Sequence, residues 1–381
     1  MSDLVDRVRH RVVADHLPVG EAVRLEAAGI ADDVALADLR RAVEAELRGA
    51  GPLEPLLAAA GVTDVLVNAP DEVWLDRGAG LERTAVRFAD GAEVRRLAQR
   101  LVAAAGARLD DAQPFVDALL PDGTRLHAVL PPLAVHPTLS LRVLARRPLD
   151  LAALAARGAL PGAAAQLLAD IVAARLAFVV TGGTGTGKTT LLGALLGCVP
   201  ADQRLVVIED ARELVVAHPH AVRLARRGAN VEGAGEVGLR ELVRQALRMR
   251  PDRLVVGEFR GAEMIELLVA LNTGHEGSGA TLHANSAADV PARFAALGAL
   301  AGLPSAAVTS LVAAALDVVV HLRRDGAGRR HVAEIGLLSR TGDAVTATSA
   351  WTAAGGPGAA ADELAARLAD RLAARPASGG R

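Results

Sequence analysis

Tyrosine is absent, tryptophan occurs twice and phenylalanine five times, so the chain offers few platforms on which single-stranded nucleic acid could stack. A single cysteine, Cys198, excludes an intrachain disulfide and a multi-cysteine zinc site built from one chain, and it fits a cytosolic setting. Charge of either sign in excess is also lacking: the formal net charge is −2, which gives no global drive toward DNA, RNA or anionic lipid. The opening residues, MSDLVDRVRHR, contain no apolar stretch of the secretory-leader kind, so no signal peptide is expected. One uncharged run, residues 294–316, is long enough to span a bilayer. Gly302, Pro304, three hydroxyl residues and many alanines make it weakly hydrophobic, and it is expected to split at LPS into two core helices.

Lysine is scarce as well. Among 42 basic residues only Lys188 is a lysine, and it lies inside GGTGTGKTT, residues 182–190. Arginine is a broad planar fork, whereas lysine is a compact point charge on a thin stem. A loop whose backbone N–H groups already wrap phosphates has room for the second and not the first. Gly182, Gly187, Lys188 and Thr189 fit the G-x-x-x-x-G-K-[ST] pattern, and Gly183, Thr184, Gly185, Thr186 and Thr190 complete the cradle. Lys188 would reach the β and γ phosphate oxygens, and the Thr189 hydroxyl would hold Mg²⁺. The apolar LAFVV before the loop reads as a buried strand and TLLGALLG after it as a helix, whose N-terminus would face the anion.

The 381 residues suggest two or three domains. Residues 1–50 read as helices with polar faces, for example VALADLRRAVEAELR. Residues 51–145 alternate short strand-like runs (DVLVNAP, EVWLD, LERTAVRF, TRLHAVLPP) with one helical segment, GAEVRRLAQRLVAAAG, and end on LSLRVL; this is an α+β domain. From 146 to 352 strands alternate with helices (LAFVV, RLVVIED, AVRLA, RLVVGEF, ATLHA), the pattern of an α/β domain with a mostly parallel sheet and ligands at the strand C-termini. The low-complexity tail, 353–381, ends in DELAARLADRLAAR, whose Leu364, Leu368 and Leu372 make a narrow stripe suited to a loosely docked helix. In LRELVRQALRMR, Arg240, Arg244 and Arg248 lie opposite the apolar face, either solvated or paired with acids of a neighbouring subunit, the second being favoured.

Three further segments accompany the P-loop: RLVVIEDARELVV (204–216), RPDRLVVGEFRGAE (250–263) and NTGHEGSGATLHANS (272–286). They resemble the Asp box, atypical Walker B and His box of the secretion-superfamily ATPases of type II and type IV systems. The branch most resembled is the CpaF-like ATPases of tight-adherence pilus assembly. The likeness continues through GPLEPLL, VTDVLVNAPDEVW and LPDGTRLHAVLPP and covers about residues 35 to 340.

Read from the residues alone, Glu258 ends an apolar strand beside the P-loop and is placed to hold Mg²⁺ or orient water. Glu209, Asp210 and Glu213 end the neighbouring strand, and the residues do not rank them. The resemblance implies the rest. It assigns water activation to Glu213, γ-phosphate sensing to His283, a scaffold or switch role to His275, and cationic contacts from the N-terminal, PAS-like domain to Arg125 and Arg142. It implies a RecA-like fold, ATP and Mg²⁺ as cofactors, and a homo-oligomeric ring, a hexamer. That ring would act on an inner-membrane platform protein from the cytoplasmic face, with no zinc and no nucleic acid as direct ligand. The chain departs from the family pattern at Gly279–Ala280, which puts the rigidity of His283 in question, and it lacks the four-cysteine element of many relatives. Two alternatives stand beside the pilus or secretion motor: a motor for conjugative DNA transfer, and a non-hydrolysing nucleotide-dependent scaffold.

Overall fold

The computed structural model describes residues 2–15, 17–27, 36–37, 49–78, 80–144, 148–228 and 235–374. Apart from 36–37, the helical segment expected over 34–48 lies outside them. The described chain forms two compact units, Met1–Leu144 and Ala145–Arg381.

In the first unit, helices Ser2–Ala14 and Val19–Glu26 bury Val8, Ala22, Val23 and Ala27 in a small core of their own. The α+β part is a six-stranded antiparallel sheet. Its strands are β1 (Asp64–Ala69), β2 (Glu72–Asp76), β3 (Leu81–Arg83), β4 (Phe115–Leu119), β5 (Arg125–Val129) and β6 (Thr138–Arg142), in the order β3-β2-β1-β6-β5-β4. Helix Gly91–Ala104 covers one face, burying Val94, Leu97, Leu101 and Val102 against Val65, Val67, Leu126 and Leu141. Its start is fixed by a reciprocal cap: Asp90 accepts from the Glu93 N–H at 2.8 Å, and Glu93 accepts from the Ala89 N–H at 2.6 Å. The strands alternate buried and open residues, as expected when one sheet face is covered.

The second unit is a nine-stranded sheet between two helical layers. Its strands are β7 (Phe178–Gly182), β8 (Leu205–Glu209), β9 (Ala221–Ala225), β10 (Arg253–Val256), β11 (Gly279–Leu282), β12 (Val318–Arg324), β13 (Arg330–Thr341), β14 (Ala344–Thr352) and β15 (Gly356–Pro357). The order is β15-β14-β13-β12-β7-β11-β10-β8-β9. Strands β12 to β9 in that order are parallel, and β13, β14 and β15 extend the edge as an antiparallel meander. Successive residues serve opposite cores. Phe178, Val180, Leu205 and Val207 face helices Gly162–Ala173 and Lys188–Gly197, while Val179, Val206 and Ile208 face helices Leu239–Leu247, Glu263–Leu271 and Val290–Leu300. Both faces are covered, which is why these strands read as unbroken apolar runs.

The uncharged run resolves into helices Val290–Leu300 and Ser305–Ala315, with Phe294, Leu297, Val308 and Val312 in the core. No described helix is long and apolar enough to cross a membrane. The terminal helix Ala361–Ala373 is seated more firmly than its narrow stripe suggests. Leu364 and Leu368 are buried in the main core, Leu372 is 41% exposed, and Arg371 pairs with Glu276 at 2.7 Å. The arginine ridge has its acid within the same unit: Arg240 and Arg244 both pair with Glu266. One carboxylate of the same unit thus meets two of the three guanidinium groups of the ridge.

His321 of β12 is 2% exposed, and its Nδ1 lies 2.9 Å from the Thr181 hydroxyl of β7. Burial, with a smaller push from Arg323, drives its imidazole down to about 4, against opposing effects of the Asn285 backbone and Asp289. In the unfolded chain this ring takes up a proton near pH 6.5. Its contribution to stability is therefore complete above that pH and is lost as pH falls toward 4. Between about pH 7.5 and about pH 5 the loss should be about 2 kcal/mol. Denaturant unfolding of wild type and His321→Asn at the two pH values tests this: the variant should show a pH dependence smaller by that amount, and equal dependence would refute the assignment.

Candidate nucleotide site

Strand β7 sits where the strand order reverses, between β11 on one side and β12 on the other, and the P-loop leaves its C-terminal end. Gly182 has φ of +146°, and a Cβ there would lie 2.6 Å from the Leu322 carbonyl oxygen and 2.7 Å from Thr186 Oγ1, so no larger residue fits. The loop closes on itself through the Thr186 hydroxyl, which donates to Gly183 O at 2.9 Å. Gly187, at φ +97°, is the N-cap of helix Lys188–Gly197, whose first N–H groups form an anion-binding end. Gly183, Thr184 and Gly185 are exposed, while Thr189 and Thr190 are half-buried in the first helical turn.

Lys188 is buried, and its Nζ donates to Gly182 O at 3.0 Å and Gly183 O at 2.9 Å. The same Nζ lies 3.4 Å from both ring nitrogens of His283. His283 Nε2 in turn lies 2.6 Å from Glu258 Oε1. Lys188, His283 and Glu258, from the ends of three adjacent strands, thus meet at one point. Burial holds the Lys188 ammonium below the ordinary lysine range, with Glu258 pulling back. Burial and then the charge of Lys188 hold the His283 imidazole low, again opposed by Glu258.

The neighbouring acids separate by environment. Glu209 is 3% exposed, and both of its oxygens are engaged. Oε1 accepts from the backbone N–H of Glu213 at 2.9 Å and Leu214 at 2.6 Å, and Oε2 pairs with Arg223 at 3.0 Å. It shapes the turn that carries Glu213. Asp210 pairs with Arg226 at 3.3 Å and Arg260 at 3.4 Å. Glu213 is half-buried, and its charge is felt by Arg260.

His275 braces a helix end: its Nδ1 donates to Ala270 O at 3.2 Å. Arg125 and Arg142 belong to the first unit, where β5–β6 register makes them direct cross-strand neighbours. The adjoining residues of both strands are buried, so the two arginines share the open face, with Arg142 Nε 2.9 Å from Asp64 Oδ1.

Two functional candidates escaped the sequence reading. Arg260 binds Glu258 at 2.5 Å while reaching Asp210; its only sequence signal is its place two residues after Glu258. Arg324 donates to the P-loop carbonyl of Gly185 at 2.9 Å, and nothing in the spacing announces it.

Hard oxygen donors suit Mg²⁺, which is commonly held by one or two protein groups plus substrate phosphates. Thr189 and Glu258 are such donors, and among the described residues no group of three or more His, Cys, Asp or Glu forms a metal cage of its own. The donor set fits Mg²⁺ carried in with a nucleotide.

The family described as type II/IV secretion system protein matches residues 46–357. A putative conjugal transfer protein of Mycobacterium tuberculosis is 60% identical over 331 residues, which cover 85% of this chain and 94% of that protein. The type IV secretion system protein VirB11 of Brucella suis is 33% identical over 320 residues, covering 74% of this chain and 88% of its own length. The ATPase DotB of Legionella pneumophila, at 20% identity, superposes with a TM-score of 0.53 over 77% of this chain and 80% of DotB, a likeness of RecA-like fold. The family match begins before the first sheet and ends beyond the β13–β14 hairpin, and on that extent the chain belongs to the type II/IV secretion system ATPase family.

Proposed function

We propose that this chain hydrolyses Mg-ATP and works as a CpaF-like homo-hexameric ring at the cytoplasmic face of the inner membrane. Through a platform protein in that membrane it would power pilus assembly or protein secretion. The observation that carries the reading is the meeting of Lys188, His283 and Glu258 at the P-loop. The loop N–H groups and the N-terminus of helix Lys188–Gly197 bind the phosphates, and Lys188 places its charge against the β and γ oxygens. Thr189 and Glu258 would hold Mg²⁺, which neutralises charge on the phosphoryl oxygens. His283, whose Nε2 lies 2.6 Å from Glu258 Oε1, stands beside that carboxylate and, on this reading, beside the γ-phosphate. Glu213, on a turn fixed by Glu209, orients the attacking water. Arg125 and Arg142, paired on one sheet face, supply the further cations that phosphoryl transfer calls for.

The name of the 60% identical relative favours a second reading in which the cargo is DNA. Few aromatic residues and a net charge of −2 support a protein cargo instead. Adding single-stranded DNA to the ATPase assay separates them, since a DNA motor is stimulated by it.

Lys188→Arg should lower nucleotide affinity or turnover by about tenfold or more, because the buried pocket between two carbonyls takes a point charge and not a fork. Near wild-type hydrolysis in that variant would overturn the steric argument. Glu258→Gln and Glu213→Gln keep shape and remove charge, so both should bind ATP while turnover collapses. Affinity and single-turnover hydrolysis measured together decide it. Normal hydrolysis by Glu213→Gln moves water activation to Asp210, and a wild-type chain that binds but never cleaves ATP is a scaffold.

A further inference from the structure

The flank of the P-loop away from the acids carries its own cation. Strand β12 pairs with β7 in the register His321↔Thr181 and Leu322↔Gly182, so it rises past the point where the loop begins. Arg324, two residues further on, stands over the loop. Its Nη2 and Nε donate to the Gly185 carbonyl oxygen at 2.9 and 3.3 Å. The fit is close: Gly185 has φ of +70°, and a Cβ there would lie 2.8 Å from Arg324 Nη2.

Arg330, opposite Arg324 in the β12–β13 register, also borders the loop, its Cδ 3.8 Å from where a Cβ on Gly187 would stand, whereas the other two arginines of the hairpin are turned to different partners. Arg329 pairs with Asp325 at 2.8 Å, and Arg323 Nε lies 3.4 Å from His321 Nε2. Arg324 makes no ion pair among the described residues, and both of its hydrogen bonds go to one carbonyl of the loop. Ordering a long, flexible side chain on a single neutral acceptor is poorly rewarded by that acceptor alone. The same cation beside an anion-binding loop has a second use.

We propose that Arg324 is a positioning residue for the nucleotide, bracing the tip of the P-loop and setting its affinity for the diphosphate that ATP and ADP share. A trans peptide points its C=O and N–H in opposite directions. Pinning Gly185 O outward therefore turns the Thr186 N–H inward, where its own bond to Gly183 O is long, 3.4 Å. That N–H is a phosphate donor in a P-loop. The guanidinium also adds positive charge on the side of β7 opposite His283 and Glu258, away from the γ-phosphate. Its effect should consequently be felt equally by nucleotides with and without a γ-phosphate.

This inference rests on the nucleotide-binding reading, and the test keeps the two apart. Equilibrium binding of ADP and of a non-hydrolysable ATP analogue is measured on the full chain, together with kcat at saturating ATP. Arg324→Ala should raise both dissociation constants by the same factor, about tenfold, and leave kcat within about twofold of wild type. Arg324→Lys, which keeps the charge, should recover part of the affinity, and it serves as the reading variant if the alanine chain does not fold. Arg329→Ala, which removes a cation of the same hairpin, should bind as wild type does. Unchanged ADP affinity in Arg324→Ala, an equal loss in Arg329→Ala, or a fall in kcat at unchanged affinity would each overturn the assignment. A wild-type chain that binds no ADP overturns the functional reading itself, and this inference with it.

Discussion

A guanidinium at the lower end of the sheet holds the site at its upper end. Arg253, the first residue of β10, is fully buried. It donates to Gln203 Oε1 at 2.8 Å, Val172 O at 2.9 Å and Gly277 O at 3.2 Å. Taking a charge out of water costs several kcal/mol, which only well-formed hydrogen bonds offset. The three acceptors come from the segment before β8, the end of the helix before β7 and the turn before β11. The carbonyls at that helix end also carry partial negative charge, which favours a cation. One side chain thereby registers the lower ends of β8, β10, β11 and the helix that feeds β7. A strand has a fixed rise per residue, so fixing the lower end of β10 also fixes the position of Glu258, just past its upper end.

The same clamp answers the doubt about His283. Gly277, at φ +71°, has Arg253 Nη1 2.8 Å and Arg175 Cα 2.9 Å from where a Cβ would stand. Gly279 meets the ring of Phe178 at 2.7 Å in the same way. These glycines let β11 close on its neighbours, and β11 is then bonded on one side to β7 and on the other to β10. A small residue in the His box is here a packing solution, and His283 follows a strand held on both edges.

The parts of this fold visible in the sequence are those governed by local pattern. Parallel strands covered on two faces give apolar runs, so LAFVV, RLVVIED and RLVVGEF were readable as strands, and the uncharged run broke at Pro304 as its composition implied. Strand β4, QPFVDALLP, was missed because its open face carries Phe115 and Leu119 and blurs the alternation. Strands β12, β13 and β14 were not read as strands at all, because they follow one another without helices between them, outside the strand–helix alternation that marked the others, and the place of β12 beside β7 is decided by distant pairing. At the site, the P-loop and Glu258 follow from residue type at fixed spacing. Nothing local ranks Glu209 against Glu213: the difference is that the Glu209 oxygens are taken up by backbone donors and Arg223. Arg240 and Arg244 likewise looked available, and Glu266, 22 residues beyond Arg244, pairs with both.

Cations in this chain divide by geometry. The arginines serve where a fork must span several acceptors, Arg253 across three segments and Arg260 between Glu258 and Asp210, or where two nitrogens close on one carbonyl, as Arg324 does on Gly185. Inside the P-loop the acceptors are the carbonyls of Gly182 and Gly183, consecutive residues at the root of a tight turn, and the space beyond them must remain for phosphate. A guanidinium would fill that space with its own plane. An ammonium leaves it open and can turn its three N–H groups from carbonyl to phosphate oxygen about a single stem. Of the 42 lysines and arginines, every one outside the loop is an arginine, and the single lysine is the cation that the P-loop carbonyls enclose.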